Sequence, residues 1–157
     1  MQKSQLILSA EQLAPPPPIA GQLLSSKSDY IAQCLSQSLA AHPELEALIG
    51  EGNFDLMESY HRHHIHNLSA ISELFDAKSF VENTIWDLRT HLARGFQPQY
   101  WSTMFPEAEN YILSELDTQL SQYVAAMYEW LIDNLDHLVP LCSEEISFYE
   151  ALSPLKE

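Results

Sequence analysis

Apolar residues in this chain return every three to four positions along most of its length, and nowhere do they alternate as a half-buried strand requires. Leu56, Tyr60, His64, Leu68, Ile71 and Phe75 fall along one side of a helix over Asn53–Phe75. Val81, Ile85, Leu88 and Leu92 do the same over Lys78–Arg94, and Leu120, Val124, Met127, Leu131, Leu135 and Leu138 continue the pattern downstream. The chain has only four glycines, no Asn-Gly or Asp-Gly turn and no long alternating run, so hairpins lack their usual signals. The pattern predicts an all-α fold of about six to eight helices of unequal length with short connections.

Breakers place the boundaries. A helix is expected over Ser28–Ala41, with Ile31, Cys34, Leu35 and Leu39 on its inner face, ending where His42 meets Pro43. A short helical piece opens at Pro43-Glu44-Leu45 and stops near Gly50, and Asn53 is placed to cap the next helix. Asp76 precedes the helix that ends at Arg94 and Gly95. Trp101, Phe105, Ala108, Ile112 and Leu116 form a fifth face, where Pro106 predicts a kink or a later start. Asp117–Ser121 is the expected break before the sixth helix, which Pro140 should end, and Ser143–Leu152 has room for one or two further turns. Ahead of all this, Pro15–Pro18 favours polyproline II. Residues 1–27 therefore read as a Pro-rich flexible leader, and residues 28–157 as the folded domain.

At 157 residues the chain suits one domain. Seven basic against 22 acidic residues give a formal net charge of -15, which repels nucleic acid and anionic membranes and excludes both as expected partners. Cys34 and Cys142 have no zinc-type or redox-motif spacing and read as reduced thiols. Neither a signal peptide nor a run of roughly 20 apolar residues is present, so the expectation is a soluble, cytoplasmic protein.

The most distinctive string is His91-Leu92-Ala93-Arg94-Gly95-Phe96-Gln97-Pro98-Gln99-Tyr100-Trp101. One helix ends and another begins within it: His91 and Arg94 sit in a last turn, Gly95 suits the left-handed position beyond it, and Pro98 suits a first turn. The string resembles the segment around the heme-binding histidine in the globin domains of globin-coupled sensors and protoglobins. Leu39-Ala40-Ala41-His42-Pro43-Glu44-Leu45, Glu73-Leu74-Phe75 and Leu131-Ile132-Asp133-Asn134-Leu135-Asp136 are similar to further parts of that family, so the likeness spans about Ser28 to Val139.

The resemblance implies a globin-like fold and a sensor domain that binds heme b. It implies His91 as the iron ligand and His64 as the distal candidate, with Leu68, Ile71, Phe80, Leu88, Phe96, Tyr100, Trp101 and Met104 as pocket walls. The implied activity is binding of a diatomic gas (O2, NO or CO) or response to redox state, signalled through contact with a separate protein, and the implied assembly is a homodimer. In oxygen-sensing members a Phe-Tyr pair lies in the second helix; register from Pro43 puts Leu35 and Ser36 there, so the tyrosine donor is missing. The heme-free globin-like modules of stressosome proteins are also similar in helix order, and Trp86 and Arg94-Gly95 would suit them. They imply an alternative: a heme-free globin-like interaction or regulatory module.

The other conspicuous cluster is Tyr60-His61-Arg62-His63-His64-Ile65-His66. On a helix, His61 with His64, and His63 with His66, come close enough to share a metal. A solvated face with only His64 turned inward is the expected arrangement. No Ser, His and Asp constellation and no glycine-rich phosphate loop can be picked out, so no enzyme activity is expected.

Overall fold

The computed structural model describes residues 1–143, and among these it is all-helical, with no strand. The order is α1 (Lys3–Ala10), α2 (Pro18–Ala40), α3 (Leu45–Ile49), α4 (Phe54–Glu73), α5 (Ala77–Leu92), α6 (Gln99–Leu113) and α7 (Thr118–Asp133), with a further helical stretch over 135–143. The expected turns over Ser143–Leu152 lie, beyond Ser143 itself, outside the described residues. No described helix is long and apolar enough to cross a membrane.

The N-terminal segment departs from a flexible leader. Residues 3–10 form α1, whose Leu6 and Ala10 are fully buried against α5, and Lys3 reaches Glu82 at 3.1 Å. The prolines do not separate this segment from the domain. Pro17 is extended (φ -59, ψ 140), and Pro18 then sits in the first turn of α2, where its missing N–H has no helical partner to lose. From there α2 runs unbroken through residue 28, burying Ala20 and Leu24 on the way.

α4 is the central helix, buried on a wide arc that takes in Met57, Tyr60, His61, His64, Ile65 and Leu68, and its most extensive partner is α2. The two backbones approach closely at Gly21. A Cβ built there would overlap the Ser69 carbonyl oxygen and come within 2.6 Å of the Glu73 nitrogen. Small residues on both sides, including the buried Ser69 and Ser72, permit the crossing.

Two corners are held together at one end of the bundle. Asn53 does not cap α4 with its side chain, as its position suggested. Its amide donates instead to the carbonyls of Ile49 (2.7 Å) and Arg94 (2.9 Å), tying the α3–α4 corner to the α5–α6 corner. Gly50 (φ 89) and Gly95 (φ 107) supply the left-handed turns on either side of it. The Gln97 N–H adds a bond to the Leu48 carbonyl at 2.8 Å. Replacing Asn53 with alanine removes both side-chain bonds, and we expect a loss of about 1–3 kcal/mol in denaturant unfolding. A midpoint equal to that of the parent protein would mean that the corners hold without the clasp.

The remaining boundaries follow the capping signals, with two exceptions at proline. Asp76 accepts from the Ser79 N–H and hydroxyl, and Asp117 accepts from the Leu120 N–H at 2.8 Å, so α5 and α7 begin where acids precede them. Pro106 lies inside α6, which already starts at Gln99; the later start does not occur. The downstream helix breaks at Asn134, whose amide donates to the Trp130 carbonyl at 2.8 Å, and helix resumes through Pro140 rather than stopping there.

Candidate functional site

His91 sits where α5 ends. The Gly95 N–H bonds to the Leu92 carbonyl and the Phe96 N–H to the His91 carbonyl, the paired bonds of a glycine-terminated helix, and Phe96 folds back to 5.1 Å from the imidazole between ring centroids. The ring is 6% exposed and faces inward. Its Nδ1–H donates to the Asp87 carbonyl at 2.7 Å, which fixes the tautomer and leaves Nε2 unprotonated. Burial lowers its pKa below the usual histidine value, and the Asp87 carbonyl bond only partly offsets that.

Opposite this imidazole lies Tyr60 of α4, 4.1 Å away between centroids and tilted by 34°. The Tyr60 hydroxyl accepts from the Trp101 Nε1–H at 3.0 Å. Tyr100 packs edge-on against both Phe96 and Trp101, at 4.9 and 5.2 Å. Rings from α4, α5 and α6 therefore fill the region where the string around His91 suggested a cofactor.

All ten residues predicted for that pocket are buried, but they do not enclose one space. His64, Leu68, Ile71 and Phe80 border a cavity of ≈ 20 Å³, shared with Tyr60, Asp87 and a few neighbours. His91, Phe96, Tyr100 and Trp101 belong to the ring cluster instead, while Leu88 and Met104 are fully buried core residues. A space of that size suits about one water molecule, whereas pockets for drug-sized ligands and cofactors run to roughly 300–1,000 Å³. A porphyrin does not fit this arrangement. Among the described residues there is also no group of three or more His, Cys, Asp or Glu side chains that could hold a metal ion.

The histidine cluster differs from a solvated face with one inward member. His61 and His64 are both buried, whereas His63 and His66 face outward. His64 Nε2 lies 2.7 Å from the Tyr128 hydroxyl. Tyr128 is fully buried and has no other hydrogen-bond partner among the described residues, so its hydroxyl donates to Nε2 and His64 carries its proton on Nδ1. Burial is the main cause that brings the His64 pKa down to about 4, with the charge of His63 adding to it.

His61 bridges Ser36 of α2 and Tyr100 of α6: Ser36 Oγ is 2.8 Å from Nδ1, and the Tyr100 hydroxyl meets Nε2. A serine, a histidine and a third polar group in line invite comparison with nucleophilic catalysis, and the proton count decides against it. If Ser36 donated to His61, the Tyr100 hydroxyl hydrogen would be left without an acceptor at a fully buried position, costing about 1–3 kcal/mol. The favoured tautomer has Tyr100 donating to Nε2 and the Nδ1–H donating to Ser36. His61 is then no base toward Ser36. Desolvation, followed by the neighbouring charges of His64, His91 and Arg62, also brings its pKa down to about 3.

Asp87 completes the set. Its backbone carbonyl holds His91 and its carboxylate meets His63 Nε2 at 3.2 Å. Burial raises its pKa to about 6, against the lowering effect of His63.

Ser36, His61, Asp87 and Tyr128 are the site residues that periodicity along a single face overlooked, while Tyr60 was placed on the inward face but not assigned to the site. For His61 a signal was present: Met57, His61, Ile65, Leu68 and Ser72 form a second stripe at helical spacing, the mark of a helix buried on two flanks. No protein-family model, no curated protein and no solved structure matches this chain.

Proposed function

We propose that this chain is a heme-free, globin-like regulatory module that acts by contact with a partner protein. One observation carries the reading: the interior between α4, α5 and α6 is occupied by the chain's own aromatic and imidazole rings, joined by hydrogen bonds, with room left for about one water. A net charge of -15 favours a basic partner surface. Trp86 of α5 stands 59% exposed with the Arg89 guanidinium 4.6 Å from its ring centroid, an aromatic handle of the kind that interfaces bury.

A second reading, a heme b sensor of a diatomic gas or redox state working as a homodimer, is favoured by the His91 ring. Its Nδ1–H is committed to a backbone carbonyl and its Nε2 is free, the arrangement a metal-binding imidazole needs. That reading requires Tyr60 to leave its place against His91 and the rings behind it to separate.

Titration of the purified protein with hemin tests the choice. The expected outcome is no saturable Soret shift and an unchanged unfolding temperature. A stoichiometric Soret band that His91→Ala abolishes would overturn the module reading and establish the second.

A further inference from the structure

The Ser36–His61–Tyr100 line ends at the surface. Ser36 is 5% exposed, yet it borders a cleft of ≈ 270 Å³ between α2 and α4, which it shares with Asp29, Ala32, Gln33, Glu58 and Arg62. Because Ser36 accepts from His61, its own hydroxyl hydrogen has no acceptor among the described residues. The cleft is where that hydrogen can find one. Two carboxylates, Asp29 and Glu58, and one guanidinium, Arg62, line the same cleft, and among the described residues none of the three is in an ion pair.

We propose that the α2–α4 cleft binds a small zwitterion of the amino-acid type, with its carboxylate taken by Arg62 and Ser36 and its ammonium by Asp29 and Glu58. Both signs of charge are needed to satisfy this lining. A lone anion meets two carboxylates, and a lone cation leaves the guanidinium and the Ser36 donor without a partner. The volume falls just below the usual range for drug-sized ligands and suits a molecule with few heavy atoms beyond its two charged groups. Gln33 offers both a donor and an acceptor at the rim. Occupancy would reach the interior through this line, since Ser36 is one hydrogen bond from His61 and two from Tyr100 of the ring cluster. The proposal is independent of whether heme binds.

Calorimetric titration of the full chain with a panel of proteinogenic amino acids tests it, with acetate and methylamine as the separated halves. At least one amino acid should bind saturably and at least about tenfold more tightly than either half. Arg62→Gln and Asp29→Asn alter exposed side chains and should leave the helical circular dichroism intact, yet each should weaken binding by at least about tenfold. Ser36→Ala should also weaken it, but that change strands the buried His61 N–H, so the two surface variants decide. No saturable binding by any amino acid, or binding that Arg62→Gln leaves unchanged, overturns the proposal. Acetate or methylamine binding as tightly as the best amino acid overturns its zwitterionic character.

Discussion

Acidification from about pH 7 to about pH 4 is expected to remove about 4 kcal/mol of this protein's stability, a large share of the roughly 5–15 kcal/mol that holds a domain folded. The cause is the buried histidine pair. His61 and His64 have folded pKa values of about 3 and about 4, set mainly by desolvation, against 6.5 for the free side chain. Below pH 6.5 the unfolded chain takes up protons that the folded chain refuses. Stability present above that pH is therefore lost on the way down, by about 3 kcal/mol for each histidine. Asp87 acts in the opposite sense. Its folded pKa of about 6 lies above its unfolded value, so the folded state gains a proton first and recovers about 2 kcal/mol between pH 6 and pH 4. His91, whose pKa is also lowered, adds to the loss. Urea midpoints measured across this range should fall steadily with acid, and His64→Gln should flatten the slope. A profile level from neutral to pH 4 would show that neither imidazole is held neutral by burial.

Substituting Gly21 by alanine should destabilise the protein by about 1–3 kcal/mol, and by leucine should prevent α2 from docking. The sign is the informative part. In an exposed helix, glycine to alanine gains up to about 1 kcal/mol from propensity alone. Here the added methyl group meets main-chain atoms of Ser69 and Glu73, and main chain cannot move aside as the tip of a flexible side chain can. Relief requires α2 and α4 to separate along the pairing that also carries Ser36 and His61. Equilibrium unfolding of Gly21→Ala is the direct measurement. A variant as stable as the parent, or more so, would mean that the crossing is looser than described.

The course of α4 to α7 was legible because each helix carries an inward apolar stripe and because α5 and α7 begin at recognisable acid caps. α1 and the first turns of α2 were not. Leu6, Ala10 and Leu24 are too few to outweigh four prolines when the segment is read alone, and the partners that cover these helices, α5 for α1 and α4 for α2, lie farther along the chain. The ten pocket candidates divide between a small cavity, a ring cluster and the core for a different reason. Helical spacing and the family likeness point to inward residues, and all ten candidates are indeed buried, but neither shows whether inward rings line a space or fill it. Tyr60 decides that by stacking on His91, a contact between helices that no local pattern encodes. Asn53 shows the same limit at a helix end: the residue type is right for a cap, yet its amide is drawn off by the Ile49 carbonyl four residues back and by the Arg94 carbonyl that tertiary packing brings near.

The docking of α1 constrains the order of assembly. Ser9 accepts from the Trp130 indole at 3.0 Å across 121 positions, and Lys3 reaches Glu82 across 79. During synthesis the residues of α1 must wait until α5 and α7 have emerged before these contacts can form. α1 thus finds its place late, and until then Leu6 and Ala10 are open to chaperones and to neighbouring nascent chains.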